Sequence, residues 1–163
     1  MGSLTREWLE KEFFTSVAGK SASNSALKMI WPSVGFVKCC IDGIDAGGSL
    51  CMPSKNYKGK TFLSEHFYRY QTTPARSRIP PHIKTYFGHS NSNPRELSWM
   101  LLTSANMSKA AWGTLQHRGT QLMIRHFEIG VLFLPQEKTF VSADTAQTSQ
   151  REVSFALPYQ YQN

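Results

Sequence analysis

Two consecutive stretches near the middle of the chain restrict the fold more than anything else in it. Residues 82–87 (His-Ile-Lys-Thr-Tyr-Phe), introduced by Pro80 and Pro81, predict a β-strand. Strand side chains alternate, so His82, Lys84 and Tyr86 share one face while Ile83, Thr85 and Phe87 share the other. Residues 97–103 (Leu-Ser-Trp-Met-Leu-Leu-Thr) are mostly apolar, as expected of a second strand covered on both faces.

Helical signals surround these strands. Leu9, Phe13 and Val17 recur every four residues beside Leu4 and Trp8, which predicts a short amphipathic helix. The small polar stretch Lys20 to Ser25 reads as a loop, and Leu27 to Trp31 as a short buried strand. Ser33 is placed to cap a helix with Val34, Val37 and Ile41 on its apolar stripe and Gly43 just past its end. Ala46-Gly47-Gly48-Ser49 reads as a turn-rich loop, as do the polar residues 53–60. Phe62 to Tyr70 reads as a helix presenting Leu63, Phe67 and Tyr70, followed by an irregular segment to Pro81. Arg76 and Arg78 in that segment read as a solvated loop. Further on, Ser108 caps a short helix that Gly113 stops after Trp112. Gln121 to Glu128 and Val131 to Leu134 predict strands, and the polar run Ser142 to Glu152 a mobile loop. Strands interleaved with helices give an α/β fold, a mixed β-sheet flanked by helices.

The chain has 163 residues, enough for one domain, and 40% apolar composition supports a core. Its 18 Lys and Arg against 11 Asp and Glu favour a polyanionic partner such as nucleic acid, or else an ordinary basic surface. Charge identifies no reaction. Three cysteines with no C-x-x-C pair read as reduced, mostly buried thiols, which suit a nuclear or cytosolic compartment. No apolar run is long enough to span a bilayer as a helix, so no membrane partner is expected.

His82 and Lys84 put an imidazole and an ammonium side by side on a rigid element. A phosphodiester site needs such a pair: a group that moves a proton near neutral pH, and a fixed cation for the non-bridging oxygens. Asn106, just past the second strand, adds an amide donor, and the helix start beside it adds oriented backbone N–H groups. No local cluster of Asp, Glu or His predicts a metal site. Lys84, Asn106 and backbone dipoles would then carry the charge stabilisation.

His82-x-Lys84 followed by Ser104-x-Asn106 resembles the H-x-K(x)4-D…G-S-x-N signature of the phospholipase D superfamily. His89 stands at the signature's aspartate and Thr103 at its glycine, departures that resemble the tyrosyl-DNA phosphodiesterase branch. Gly119 to Arg125, Gly130 to Pro135, Ser108 to Gly113 and Ala46 to Leu50 are similar to that family too. The resemblance runs from about Leu27 to Pro158. It divides the chain into an amino-terminal helix and linker, 1–26, and a phospholipase D-like half-domain, 27–163, truncated at its end.

The resemblance implies a residue-by-residue assignment. His82 matches the general acid that protonates the departing tyrosine and then activates water, and Lys84 and Asn106 match residues that hold the phosphate. Glu128 matches a carboxylate that orients the nucleophilic histidine of the family's first half. Ser49 and Ser108 match DNA-contacting positions; turn formation at Ser49 stands as the alternative to that role, and helix capping at Ser108 stands ahead of it and is compatible with it. Cys51 replaces the family's usual proline beside Ser49. No cofactor is implied. The implied partners are single-stranded or 3′-end DNA, a topoisomerase I-derived tyrosyl peptide as substrate, and the missing amino-terminal half, since residues 1–81 hold no second His-x-Lys. The implied location is nuclear, with the cytoplasm as a second compartment. Two other readings stand beside it: a homodimeric single-motif nuclease, against which His89 and the spare Glu128 speak, and a non-catalytic DNA-binding fragment.

Overall fold

The computed structural model describes residues 2, 4–19, 23, 26–50, 52–72, 74–89, 96–134, 139–142 and 152–155. Cys51, all of the first loop but Ser23, and residues 143–151 of the polar run lie outside them.

The first segment places the apolar doublets Trp8-Leu9 and Phe13-Phe14 five residues apart. A helix wound with i→i+5 hydrogen bonds brings such doublets onto one face. The chain adopts that winding in the π-helix Trp8–Phe14, continues as α1 (Thr15–Ala18), and stops at Gly19 with φ 86°. All four doublet residues are buried, and Trp8 stacks on Phe13 with ring centroids 5.4 Å apart. The helix expected from a period of four therefore forms, with a wider turn. Its buried face meets Leu27, Met29, Phe62 and Leu63 to make the main core. Burial of each such large side chain contributes about 1.5–3 kcal/mol. The Trp8 indole N–H donates to the Gly113 carbonyl at 2.8 Å, so the helix is an integral part of the domain.

β1 (Met29–Trp31) leads into α2 (Val34–Lys38), where the Ser33 hydroxyl accepts the Phe36 N–H at 3.1 Å as expected of a cap. α2 is too short to carry the expected stripe. Val37 is buried, but Val34 and Ile41 are exposed, and Val37 packs with Cys40 and Ala46 instead. Of the thiols expected to be mostly buried, Cys40 is buried and Cys39 is exposed. A 3-10 segment follows at Gly43–Ser49, and the residues expected to form a loop after it contain α3 (Ser54–Tyr57).

The helix expected over Phe62 to Tyr70 does not form. Its first half is a 3-10 helix (Thr61–Glu65) and its second is β2 (Phe67–Arg69), parallel to β1. The cause is non-local: the Met29 N–H donates to the His66 carbonyl and the Tyr70 N–H to that of Trp31, so β1 claims this backbone. Leu63 and Tyr70 are buried all the same. A 3-10 turn at Pro74–Arg76 interrupts the segment expected to be irregular.

The remaining elements are β3 (Lys84–His89), β4 (Glu96–Thr103), α4 (Lys109–Trp112), β5 (Thr114–Gln116), β6 (Gln121–Met123), β7 (Gly130–Phe133), β8 (Thr139–Ser142) and β9 (Glu152–Phe155). β4 is the spine. It pairs antiparallel with β3 on one edge and with β7 and β8 on the other, while β9 runs parallel to β8. β5 and β6 form a separate hairpin. The expected mixed sheet is thus present, with Phe13 and Trp112 packed on Tyr86 of β3. Two expected strands are shorter: β3 starts at Lys84 rather than His82, and β6 ends at Met123 rather than Glu128, while β5, β8 and β9 were not expected.

Candidate active site

The sheet register gathers three parts of the chain at one end of β4. Lys84, first residue of β3, lies opposite Thr103, last of β4, and Thr103 lies opposite Gly130, first of β7. His82 precedes β3 by two residues, Asn106 follows β4 by three, and Glu128 precedes β7 by two. All four expected site residues therefore belong to the segments that leave this one end of the sheet. Because β3 starts after His82, strand alternation does not fix its side chain to the face of Lys84.

Tyr86 braces the turn that carries Asn106. Its hydroxyl donates to the Ala105 carbonyl at 2.9 Å and accepts the Trp112 indole N–H at 3.3 Å. Burial pushes the Tyr86 phenol up to about 12, against the Trp112 donor, which acts downward; the nearby Glu128 charge adds to the rise. The hydroxyl therefore stays a donor throughout the physiological range. Thr103 continues the brace: its hydroxyl donates to the Ile129 carbonyl at 2.9 Å and accepts the Ala105 N–H at 3.1 Å.

Glu128 is held from the same turn. The Ser104 hydroxyl donates to one of its carboxylate oxygens at 2.6 Å, while His126 Nδ1 lies 3.5 Å from the other. Thr103 and Ser104 are thus positioning residues to which the motif assigned no such role: Thr103 stood as a departure from the signature's glycine and Ser104 as its serine. A further signal is their adjacency, two hydroxyls at the end of a buried strand.

His82 and Asn106 are exposed and Lys84 is half-buried. None of the three side chains has a hydrogen bond or ion pair among the described residues. An imidazole, an ammonium and an amide donor are therefore available at the end of a rigid sheet, chemistry suited to an oxyanion. Ser49 and Ser108 stand differently. The Ser49 hydroxyl faces its own turn at the Ala46 carbonyl, 3.4 Å away, and among the described residues no hydrogen bond ties it to the sheet end. Ser108 caps α4 by accepting the Ala111 N–H at 3.2 Å, and only 7% of it is exposed.

The family model described as "Tyrosyl-DNA phosphodiesterase" matches residues 1–163. The chain belongs to the tyrosyl-DNA phosphodiesterase family. That match takes in the first 26 residues, whose helix is packed into the core. Tyrosyl-DNA phosphodiesterase 1 of Arabidopsis thaliana is 43% identical over 142 residues, covering 83% of this chain and 23% of the relative. The Drosophila melanogaster protein of the same name is 34% identical over 172 residues, covering 98% and 29%. A crystal structure of a yeast tyrosyl-DNA phosphodiesterase mutant aligns over 67% of this chain and 27% of its own, with 28% identity and a TM-score of 0.51. A second yeast mutant structure, covering 82% and 34% at 24% identity and a TM-score of 0.55, agrees in fold. The chain therefore spans about a quarter to a third of the length of these tyrosyl-DNA phosphodiesterases.

Proposed function

We propose that this chain supplies one of the two half-sites of a DNA-repair phosphodiesterase acting in the nucleus on 3′-phosphotyrosyl DNA, the linkage left by a trapped topoisomerase I. The observation carrying this reading is the convergence of His82, Lys84, Asn106 and Glu128 on segments leaving one end of β4. In the first step a histidine from the other half attacks phosphorus and the P–O bond to tyrosine breaks. His82, protonated, gives its proton to the departing phenolate. In the second step His82, now neutral, takes a proton from water, which attacks phosphorus and breaks the P–N bond, leaving a 3′-phosphate. Lys84 and Asn106 hold the non-bridging oxygens through both steps. Glu128, fixed by Ser104, orients the attacking histidine. Ser49 and Ser108 fit the DNA strand side of this reading less directly, since each hydroxyl is turned to its own backbone.

A further observation supports a partner half at this edge. Phe127 is 105% exposed and Ile129 82%, flanking Glu128, and Val131 and Leu132, on opposite faces of β7, are each more than half exposed. Large apolar side chains exposed beside a site are what an interface with another body buries.

The test uses the full-length protein and labelled 3′-phosphotyrosyl DNA. A phenol leaves with a pKa of about 10, so the first step needs only moderate acid help, whereas the second needs water deprotonated. His82→Ala should slow turnover roughly 100- to 10,000-fold and accumulate a denaturant-stable protein–DNA adduct. Lys84→Ala should depress adduct formation itself. Loss of turnover in His82→Ala without extra adduct would overturn its assignment as second-step base.

A further inference from the structure

A cavity of about 260 Å³ lies beside the parallel strands β1 and β2, lined by Trp31, Met52, Tyr57, Phe67, Tyr68 and Arg69 among others. At this size the cavity falls just below the roughly 300–1,000 Å³ of pockets for drug-sized molecules, and it suits one ring system. Four of its lining residues are aromatic, and Tyr57, 41% exposed, packs against Phe67 with centroids 6.0 Å apart.

The surroundings are cationic. The Arg69 guanidinium is exposed and has no hydrogen bond or ion pair among the described residues. Lys28 Nζ lies 5.1 Å from the Tyr68 ring centroid, and Lys55 and Lys58 bracket Tyr57 in sequence. The stretch 52–72 that supplies Met52, Tyr57 and β2 to the lining carries Lys55, Lys58, Lys60 and Arg69 against the single acid Glu65. Aromatic rings beside cations are what a single strand of nucleic acid recognises: the rings take a base, the cations its phosphates.

We propose that this cavity binds one base of a single-stranded DNA, stacked on Tyr57, with Arg69 on an adjoining phosphate. The site is made by β1, α3 and β2, none of which contributes a residue to the half-site at the end of β4. It serves as a strand-anchoring subsite and rests on the DNA reading above. An aromatic side chain of a peptide would use the rings but not the free guanidinium, which favours DNA.

The test is fluorescence anisotropy of the purified 163-residue chain with fluorescein-labelled oligo-dT and with an abasic strand of equal length. Oligo-dT should bind about 10-fold more tightly than the abasic strand, from one stacked base. Tyr57→Ala should abolish that preference, and Tyr57→Phe should keep it. Arg69→Ala should weaken both strands alike and reduce the salt slope by about 0.7. Equal binding of both strands by the wild-type chain would remove the subsite and leave the DNA reading standing. A preference that survives Tyr57→Ala would remove it too, and binding of neither strand by folded protein would remove both. Quenching of Trp31 by a tyrosyl peptide, but not by oligo-dT, would assign the cavity to peptide and overturn the proposal.

Discussion

Ser104 holds Glu128 in a two-way clasp: its hydroxyl donates to the carboxylate at 2.6 Å while its oxygen accepts the Ile129 N–H at 3.1 Å. The carboxylate is thereby fixed to the turn that leads to Asn106, and orientation of one reaches the other through two residues. Ser104→Ala should cost about 1 kcal/mol or less in stability, because solvent can replace both bonds at this exposed site. In the full-length protein, the same change should slow adduct formation without adding adduct. Rapid-quench kinetics would check this, and an unchanged first step would remove Glu128 from its orienting role.

Gly130 tests how tightly β7 must approach β4. A Cβ there would lie 2.8 Å from Thr103 Cβ and 2.9 Å from the Leu102 carbonyl oxygen. Backbone in a paired strand cannot yield easily, so Gly130→Ala should destabilise the chain by about 1–3 kcal/mol. Urea unfolding monitored by tryptophan fluorescence would measure it, and a neutral result would mean that the β4–β7 pairing is looser than described.

Tyr86 makes stability depend on alkaline pH. Its folded value is raised from 10.0 to about 12, so the unfolded chain releases this proton first. Its contribution is whole below pH 10 and falls as pH rises from 10 to 12, by on the order of 2 kcal/mol. Other tyrosines and lysines titrate there as well. The readout is therefore the stability difference between wild type and Tyr86→Phe, which should shrink over that window. A difference constant from pH 9 to 12 would contradict the buried phenol.

Ser108→Ala removes the cap of α4 and should cost about 1 kcal/mol. With only 7% of the residue exposed, oligonucleotide affinity should change no more than that stability loss explains. A selective drop in affinity for 3′-end DNA, with little loss of stability, would instead give Ser108 a phosphate to hold.

Turnover of 3′-phosphotyrosyl DNA by the 163-residue chain alone should be absent, for want of a second His-x-Lys. Metal-independent turnover by pure monomer, abolished by His82→Ala, would refute the half-site reading.

Legibility in the sequence followed the range of the interactions. α4 was readable because cap, helix and stop lie within six residues, and β4 because its apolar run is long. The closeness of His82, Lys84 and Asn106 in the fold was readable for the same reason, since they flank two neighbouring strands. Phe62 to Tyr70 misled because Leu63, Phe67 and Tyr70 fit a helical face. Only the distant pairing with Met29–Trp31 makes the second half a strand. The Ser104 clasp on Glu128 was hidden because it joins residues 24 apart through a side chain. The cavity at β1 and β2 was hidden for a similar reason, as its lining comes from three separated stretches.

The Trp8 bond to Gly113 also sets an order of assembly. These residues are 105 apart, so on a ribosome adding roughly 5–20 residues per second, Trp8 is made some 5–20 s before its acceptor. β3, β4 and β7, by contrast, find partners within a few tens of residues, at little cost in loop closure. The nascent chain therefore has Leu27, Met29, Phe62 and Leu63 to set against Trp8, Leu9, Phe13 and Phe14 before the sheet is made, while the Trp8 indole N–H still waits for its acceptor. That interval is when a chaperone has the most to recognise, and the Trp8–Gly113 bond is the late tie that locks the amino-terminal helix to the rest of the domain.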